Sequence, residues 1–311
     1  MSLALSLIIP VYNEEGCVDE LVKRLESVIR PLHLSYELIF INDGSKDKTF
    51  FLLQEMRHKN PAIKIIDFSR NFGHQIAVKA GLDNAFGDYV VIIDADLQDP
   101  PEVIPQMIEK AKEGYDVVYA TRAKREGESF LKLLTANVFY RLLKKIAQVE
   151  IPVDTGDFRL ITRRVADVMR SFKEKNLYLR GLVSWVGFRQ TGVLVHREAR
   201  FAGKTKYTWK KMFNLAWAGI SNFSMVPLKF ATLMGVVTTI LCFVWLAQAL
   251  AAHFIFGQTV MGWTSLMVAV LFLGGVQLIT LGILGSYLGK NFDESRGRPL
   301  YVIREKIGMN S

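Results

Sequence analysis

Short apolar runs alternate with longer segments of helical period along the first part of the chain. Five of these runs have the length and composition of strands: Leu5 to Val11, Glu37 to Ile41, Ile63 to Phe68, Tyr89 to Ile93 and Asp116 to Ala120. Strands that are apolar on both faces and alternate with helices are typical of a parallel sheet that is covered on both sides. The pattern therefore predicts a doubly wound α/β domain over roughly residues 1–122.

A long uncharged stretch follows in the C-terminal third of the chain. Phe230 to Gly289 contains no Asp, Glu, Lys or Arg, and a short polar break, Gly257 to Gly262, divides it into two apolar runs. Each run is long enough to cross a hydrocarbon core of about 30 Å. The sequence therefore predicts two transmembrane helices, over residues 228–256 and 263–289, and the alternative is a pair of buried core helices.

Charge is distributed unevenly around these runs. The chain has 311 residues, with 39 Lys and Arg against 30 Asp and Glu, a net charge of +9, and it is half apolar, which excludes a disordered chain. The connection between the apolar runs is uncharged, whereas basic residues flank them on their outer sides: Lys210, Lys211, Lys229, Lys290, Arg296, Arg298, Arg304 and Lys306. By the positive-inside rule, both termini are expected on the cytoplasmic side of the inner cell membrane. Anionic lipid accounts for the basic surplus better than nucleic acid does, so no nucleic-acid partner is expected.

An amphipathic segment, residues 206–227, precedes the first apolar run. Its apolar residues recur at spacings of three and four: Trp209, Met212, Phe213, Ala216, Ile220 and Phe223. Next to a basic cluster, this stripe predicts an interfacial helix that lies on membrane lipids, and the alternative is a helix packed on the soluble domain. The expected order is then a cytoplasmic domain over 1–205, the interfacial helix, two spans and a basic tail over 290–311.

Acidic or turn-forming residues follow each of the first four predicted strands. They occupy Pro10 to Gly16, Asn42 to Ser45, Arg70 to His74 and Asp94 to Pro101. In open α/β sheets, ligands bind at the carboxyl ends of the strands. These four clusters are therefore expected to converge on one edge of the sheet and to form a ligand site there.

The acidic pair after the fourth strand indicates a metal site. In an extended segment Asp94 and Asp96 project to the same face, where their oxygens could hold a hard divalent cation that binds a diphosphate. The apolar run Val90 to Ile93 directly before the pair places it at the end of a buried strand. The sequence has neither a Walker loop nor a Gly-x-Gly-x-x-Gly motif, so P-loop and dinucleotide-binding proteins are disfavoured.

Four ordered motifs resemble those of the family 2 glycosyltransferases of the GT-A fold. They are Ile9 to Glu15, Asn42 to Ser45, Asp94 to Glu102 and Thr155 to Arg159. With Arg200 to Tyr207 and the paired apolar runs, they make the chain similar to the polyprenyl-phosphate glycosyltransferases, which include dolichyl-phosphate mannose synthase and bactoprenol glucosyltransferases. The resemblance covers nearly the whole chain and implies a GT-A-type, mostly parallel sheet followed by the membrane helices.

The resemblance also implies roles for individual residues on the donor side. The residues it places at the donor nucleotide are Pro10, Tyr12, Glu14, Asp43, Asp94, Arg200 and Lys204, the last two at the diphosphate. The residues it places at Mg²⁺ or Mn²⁺ are Asp94, Asp96 and Gln98. Asp43 and Asp94 could instead cap helices.

On the acceptor side, the resemblance implies an acceptor phosphate held by Arg122, Arg125 and Lys132, of which the last two could instead be solvated surface charges. It places Asp157 near the acceptor oxygen, and Asp157 and Asp96 are the expected catalytic residues. A phosphate monoester has its second pKa near ~6 and is largely a dianion at neutral pH. Asp157 is therefore expected to orient the acceptor or the sugar more than to remove a proton.

The implied reaction moves one sugar per turnover from a nucleotide sugar to a polyprenyl phosphate, with inversion. The chain has no Gln-x-x-Arg-Trp motif and only two predicted spans, which disfavours a polymer synthase. UDP-glucose with undecaprenyl phosphate is the first expectation, and GDP-mannose with a dolichyl or polyprenyl acceptor is the second. A lipid-linked nucleotidyltransferase and a non-catalytic membrane scaffold stay open as other classes. A homo-oligomer is expected, because a two-helix anchor gains from association.

Overall fold

The computed structural model describes residues 3–122, 155–175, 177–195, 226–255 and 262–309. Within these ranges the chain forms eight strands that share one sheet. They are β1 (Leu5–Val11), β2 (Tyr36–Asn42), β3 (Ile63–Phe68), β4 (Tyr89–Ile92), β5 (Val117–Arg122), β6 (Thr155–Thr162), β7 (Gln190–Val195) and β8 (Ile303–Ile307). β1 to β5 lie where the apolar runs predict them, with ends that differ by at most two residues.

Helices cover both faces of this sheet. They are α1 (Val18–Ile29), α2 (Thr49–Lys59), α3 (His74–Asn84), α4 (Ile104–Lys112), α5 (Arg163–Ser171) and α6 (Leu179–Trp185), and α7 (Val226–Phe254) and α8 (Trp263–Ser295) follow them. One core packs under α1, α2 and α4, with Leu21, Leu53 and Met107 fully buried. The other core packs under α3, α5 and α6 and includes Val78 and Val165. The doubly wound α/β class is therefore confirmed.

The strand order is β7-β5-β6-β4-β1-β2-β3-β8. β1 pairs in parallel with β2 and β4, β2 with β3, and β5 with β7, whereas β6 and β8 run antiparallel to their neighbours. The sheet is thus mostly parallel, as the sequence predicts. Because β1 to β4 are parallel, their carboxyl ends meet at one edge, which we call the carboxyl edge.

β6 enters the sheet between β4 and β5, where Leu160 pairs with Val91 on one side and Val118 on the other. The sequence pattern does not predict this strand, since Gly156 and Asp157 interrupt its apolar alternation. β6 begins opposite the end of β5, with Thr155 paired to Thr121. Its first residues therefore lie at the carboxyl edge.

β8 adds an edge strand from the segment that the sequence describes as a basic tail. Ile303 pairs with Phe68, and Ile307 pairs with Ile65. Since Phe68 is the last residue of β3, the chain that arrives from α8 joins the sheet at the carboxyl edge. The tail is thus part of the folded domain.

α7 and α8 are long and apolar enough to cross a membrane, by length and composition. Only 11 % of the apolar stretch of α7 and 0 % of that of α8 is buried among the described residues, which argues against a pair of buried core helices. The predicted interfacial helix over residues 206–227 lies, apart from its last two residues, outside the described ranges.

Candidate functional site

The loops after β1 and β2 interlock at the carboxyl edge. Asn13 donates its backbone amide to Ser45 Oγ at 3.0 Å, and its own Oδ1 accepts the amide of Lys46 at 2.8 Å. The amide of Glu14 is bound by Thr49 Oγ1 at 2.9 Å. Pro10 is buried within β1 and Tyr12 is half-buried in this loop. The predicted nucleoside residues of the first motif are therefore held in a fixed arrangement beside the second motif.

Asp43, at the end of β2, binds the loop that follows β3. Its Oδ1 accepts the amide of Phe72 at 2.6 Å and its Oδ2 accepts the amide of Gly73 at 2.9 Å. Burial raises the pKa of Asp43, and the bonds from the two amides oppose this shift. These amides belong to the two residues before α3, whose N-terminus has no side-chain cap, so Asp43 holds the loop that leads into the helix and does not cap it. Contact with a nucleoside stays a prediction for this residue.

Three residues from different elements meet beside β4. His74 Nε2, at the start of α3, lies 3.5 Å from Asp94 Oδ1 and 3.2 Å from Asp157 Oδ2. One ligand atom from each of His74, Asp94 and Asp157 lies within 4.8 Å of the others, close enough to share a metal ion. We call these three residues the acid–histidine cluster.

Arg180, on α6, holds Asp157 in this cluster. Its Nε donates to Asp157 Oδ1 at 2.7 Å and its Nη2 donates to Oδ2 at 3.1 Å. Planar, paired hydrogen bonds of this kind fix both the position and the rotation of a carboxylate. α6 is itself tied to α3, because the amide of Leu179 is bound by Gln75 Oε1 at 3.0 Å.

The pKa values of the two carboxylates in the cluster shift in opposite directions. Burial raises the pKa of Asp157, but hydrogen bonds from His74 and Arg180 outweigh this effect and lower it well below 3.8. Burial also raises the pKa of Asp94, and although His74 opposes the shift, the nearby charges of Asp157 and Asp96 add to it, and the value reaches about 6. Asp157 is therefore ionised at neutral pH, whereas the positive charge near Asp94 does not fully compensate the burial of its carboxylate and the neighbouring negative charges.

The protonation of His74 follows from the same charges. Burial lowers its pKa, but the charges of Asp94 and Asp157 and the hydrogen bond to Asp157 outweigh burial and raise the value to about 9. A protonated imidazole partly balances the carboxylates of the cluster.

Asp94 fits the role of a metal ligand. Its Oδ1 is buried and has no hydrogen-bond partner among the described residues. A buried carboxylate oxygen without a partner is costly, and a divalent cation bound by oxygen ligands would satisfy it. The residues present therefore suit a hard divalent cation.

The rest of the predicted metal set lies on the same loop. Asp96 Oδ1 accepts the backbone amide of Gln98 at 3.1 Å, so the carboxylate shapes the turn. Leu97, between them, is buried at φ +58°, a left-handed conformation that is strained for a residue with a side chain. Within the described residues, the cluster that can share one ion joins Asp94 to His74 and Asp157, and Asp96 is not a member. Ligation by Asp96 and Gln98 stays a prediction.

The described part of the chain includes one of the predicted phosphate-binding residues, Arg122. Arg122 ends β5 at the carboxyl edge, the edge that carries the cluster. The other predicted phosphate-binding residues, Arg125, Lys132, Arg200 and Lys204, lie outside the described ranges.

The site also contains two residues that the sequence does not predict, His74 and Arg180. His74 belongs to a turn cluster that the sequence assigns to the correct edge, and its position after Gly73 is the signal that could have identified it. Arg180 has no comparable local signal, since it reaches Asp157 from 23 residues further along the chain.

Comparisons with a family model and with individual proteins agree on one family. Residues 6–170 match the model of the family Glycosyl transferase family 2. The chain is 50% identical over 306 residues to an uncharacterized glycosyltransferase of Bacillus subtilis (strain 168), covering 98% of this chain and 95% of that protein. It is 41% identical over 302 residues to the prophage bactoprenol glucosyl transferase homolog of Escherichia coli (strain K12), covering 97% and 99%. It is also 41% identical over 304 residues to the bactoprenol glucosyl transferase of Shigella phage SfV, covering 98% and 99%. The similarity thus extends through α7, α8 and β8, beyond the residues that the family model matches.

Proposed function

Since the chain belongs to glycosyl transferase family 2 and is a glycosyltransferase, we propose that it moves one hexose from a nucleotide sugar to a polyprenyl phosphate, with inversion at the anomeric carbon. The names of two relatives, a bactoprenol glucosyl transferase and a homologue of that enzyme, support the lipid acceptor. UDP-glucose with undecaprenyl phosphate is the first choice of substrates.

One observation carries this proposal. The acid–histidine cluster lies at the carboxyl edge, and the chain returning from α8 joins the sheet at that same edge, where Ile303 pairs with Phe68. Seven residues separate Ser295 from Ile303, so the end of α8 lies within about 28 Å of the edge. Lys175, a few residues before α6, also donates its backbone amide to Glu294 of α8 at 2.7 Å. A lipid phosphate at the membrane surface would thus be presented to the side of the domain that carries the cluster.

The donor occupies the loops after β1 and β2 in this proposal. Tyr12, Glu14 and Asp43 line the place where the nucleoside would bind, and their loops are held together by hydrogen bonds before any ligand arrives. A preformed site loses less conformational entropy when it binds a ligand.

The leaving group is the nucleoside diphosphate. Asp94, with Asp96 and Gln98 beside it, would hold Mg²⁺ or Mn²⁺, and the buried Asp94 oxygen that accepts no hydrogen bond from a described residue supports this assignment. When bound, the cation supplies electrostatic stabilisation of the charge that develops on the departing diphosphate. His74 Nε2, 3.5 Å from Asp94 Oδ1, lies on the same side of the cluster.

Asp157 would orient the reacting groups. An oxygen of the acceptor phosphate forms the new bond to the anomeric carbon, while the bond from that carbon to the diphosphate breaks and the diphosphate keeps the electron pair. The acceptor is already a dianion near neutral pH and needs no base. A carboxylate whose pKa lies well below 3.8 and that is held by Arg180 is a weak base, so the structure favours the orienting role.

The membrane arrangement follows from the fold of the tail. If α7 and α8 cross the membrane as a hairpin, β1 to β7 and β8 lie on the same side, which agrees with their pairing in one sheet. The basic residues on the outer sides of the hairpin make that side the cytoplasmic one in our proposal.

A donor screen tests the proposal. Full-length protein in membranes containing undecaprenyl phosphate is incubated with sugar-labelled UDP-glucose, UDP-galactose or GDP-mannose, and label in the organic phase is counted. We expect transfer from UDP-glucose. Transfer from GDP-mannose alone would favour the mannose synthase alternative, and no transfer from any donor would contradict the proposed function.

A further inference from the structure

The segment that follows α8 brings an arginine to a buried acid near the donor loops. Arg304 Nη1 lies 3.1 Å from Asp67 Oδ2, and its Nη2 donates to the carbonyl oxygen of Ser69 at 3.0 Å. The side chain of Asp67 is 1 % exposed, whereas that of Arg304 is 60 % exposed. The arginine therefore reaches from the surface to an acid in the interior.

Asp67 is connected to the proposed donor site on its other side. Asn42 Nδ2 donates to Asp67 Oδ1 at 2.7 Å, and Asn42 Oδ1 accepts the amide of Ser45 at 3.3 Å. Ser45 Oγ in turn binds the amide of Asn13. A continuous series of hydrogen bonds thus leads from Arg304 to the loops after β1 and β2.

Ser69 provides a second connection. It begins the segment that runs to Gly73 after β3, and the amides of Phe72 and Gly73 in this segment bind Asp43. Arg304 holds the start of the segment through the carbonyl of Ser69, and Asp43 holds its end. The same arginine therefore supports the loop after β2, through Asp67 and Asn42, and the segment after β3, through Ser69.

Arg304 supplies the positive charge that compensates the buried carboxylate of Asp67. A carboxylate that is almost fully buried loses its hydration, and a neutral amide such as Asn42 compensates only part of that loss. Among the described residues, Arg304 is the cation in ion-pair contact with Asp67. Without it, the acid would be expected to draw in water or to move, and Asn42 would move with it.

We infer that Arg304 is a positioning residue for donor binding, supplied by the segment that returns from the second apolar helix. The inference rests on the proposed function, because it takes the loops after β1 and β2 as the donor site. Arg304 acts through Asp67 and Ser69 and does not touch the donor itself. Its loss should weaken donor binding and leave the use of the lipid acceptor unchanged.

The test measures nucleotide affinity with full-length protein in lipid nanodiscs, with UDP and GDP as probes. We expect Arg304→Met to raise the Kd of the nucleotide that the wild-type protein binds by about tenfold, the lower end for a hydrogen bond to a charged group. The turnover rate at saturating donor and the KM for undecaprenyl phosphate should change by less than about threefold, well below a tenfold loss. Arg304→Lys keeps the charge and should restore most of the affinity.

Lys306 provides a matched control on the same strand. It donates to Asn84 Oδ1 at 2.9 Å, away from the donor loops, so Lys306→Met should bind nucleotide as the wild type does. Combining Arg304→Met with Asp67→Asn removes the buried charge together with its partner and should recover affinity, even if Arg304→Met alone folds poorly.

Three results would overturn the inference. They are unchanged nucleotide affinity in Arg304→Met, an equal loss in Lys306→Met, and no recovery in the double variant. A wild-type protein that binds neither UDP nor GDP would instead contradict the proposed function, and the inference would fail with it.

Discussion

Gly44 lies where two loops of the donor site come closest, and replacing it by alanine should disable that site. Its φ is +68°, a left-handed conformation, and a Cβ built there would lie 2.6 Å from the carbonyl carbon of Arg70 and 2.7 Å from the amide nitrogen of Asn71. Both neighbours are backbone atoms, which cannot rotate away. Gly44→Ala therefore has to push the segment after β3 outward.

The size of the effect follows from these distances. An ordinary contact begins at 3.4 Å, so the segment must move by about 3.4 − 2.6 = 0.8 Å. Such a shift would stretch the bonds from Phe72 and Gly73 to Asp43 from 2.6 and 2.9 Å toward roughly 3.4 and 3.7 Å, at or beyond the limit of a hydrogen bond. Losing these bonds to a charged group costs about 3 kcal/mol in total, in addition to about 1–2 kcal/mol for the left-handed alanine.

Gly187 is a matched control for this substitution. Its φ is +73°, but the nearest atom to a built Cβ is the carbonyl oxygen of Trp185 at 3.9 Å. Gly187→Ala has the same conformational cost without the collision. We expect Gly44→Ala to lower the Tm by about 6–12 °C more than Gly187→Ala, and to lower kcat/KM for the donor by about 10²-fold. Equal Tm values and equal donor kinetics in the two variants would refute the reasoning.

Three further predictions concern the cluster and the anchor. Asp94→Asn removes a buried and partly uncompensated charge, so it should leave the Tm unchanged or raised while activity falls at least about 10²-fold. Activity should fall to the same extent in Asp96→Asn and in excess EDTA. Full turnover in EDTA would exclude the metal. Asp157→Asn should lower kcat at all pH values and keep the acid limb of the pH profile, because the low pKa of Asp157 keeps it ionised between pH 5 and 8; loss of that limb would identify a general base. In a variant with serine at both native cysteines, Gln258→Cys should react with a membrane-impermeant maleimide in intact cells and Met309→Cys should not, and the reverse result would invert the topology.

The parts of the fold that the sequence predicts are those with a strong local pattern. β1 to β5 are apolar on both faces, and α7 and α8 are uncharged over many turns, so each can be recognised from its own residues. The acids after β1, β2 and β4 could also be assigned to one edge, because parallel strands bring their carboxyl ends together.

The parts that the sequence does not predict depend on partners far along the chain. β8 reads Ile-Arg-Glu-Lys-Ile, which is typical of an exposed basic tail, and it becomes a strand because β3 offers a free edge. The sequence pattern predicts Arg304 to be a membrane-side charge, whereas in the structure its partner is Asp67, 237 residues earlier. Arg180 likewise acquires its role only when α6 packs beside α3 and β6.

The central claim is that the chain transfers a sugar, and not a nucleotide, to a lipid phosphate. UDP-glucose labelled in the sugar and UDP-glucose labelled in the base are incubated separately with full-length protein, Mg²⁺ and undecaprenyl phosphate in nanodiscs, with Asp157→Asn as the matched low-activity control. We predict that the sugar label alone enters the lipid fraction, in an amount that falls in the control. Base label in the lipid would identify a nucleotidyltransferase, and sugar transfer that is equal in the control would contradict the assigned site.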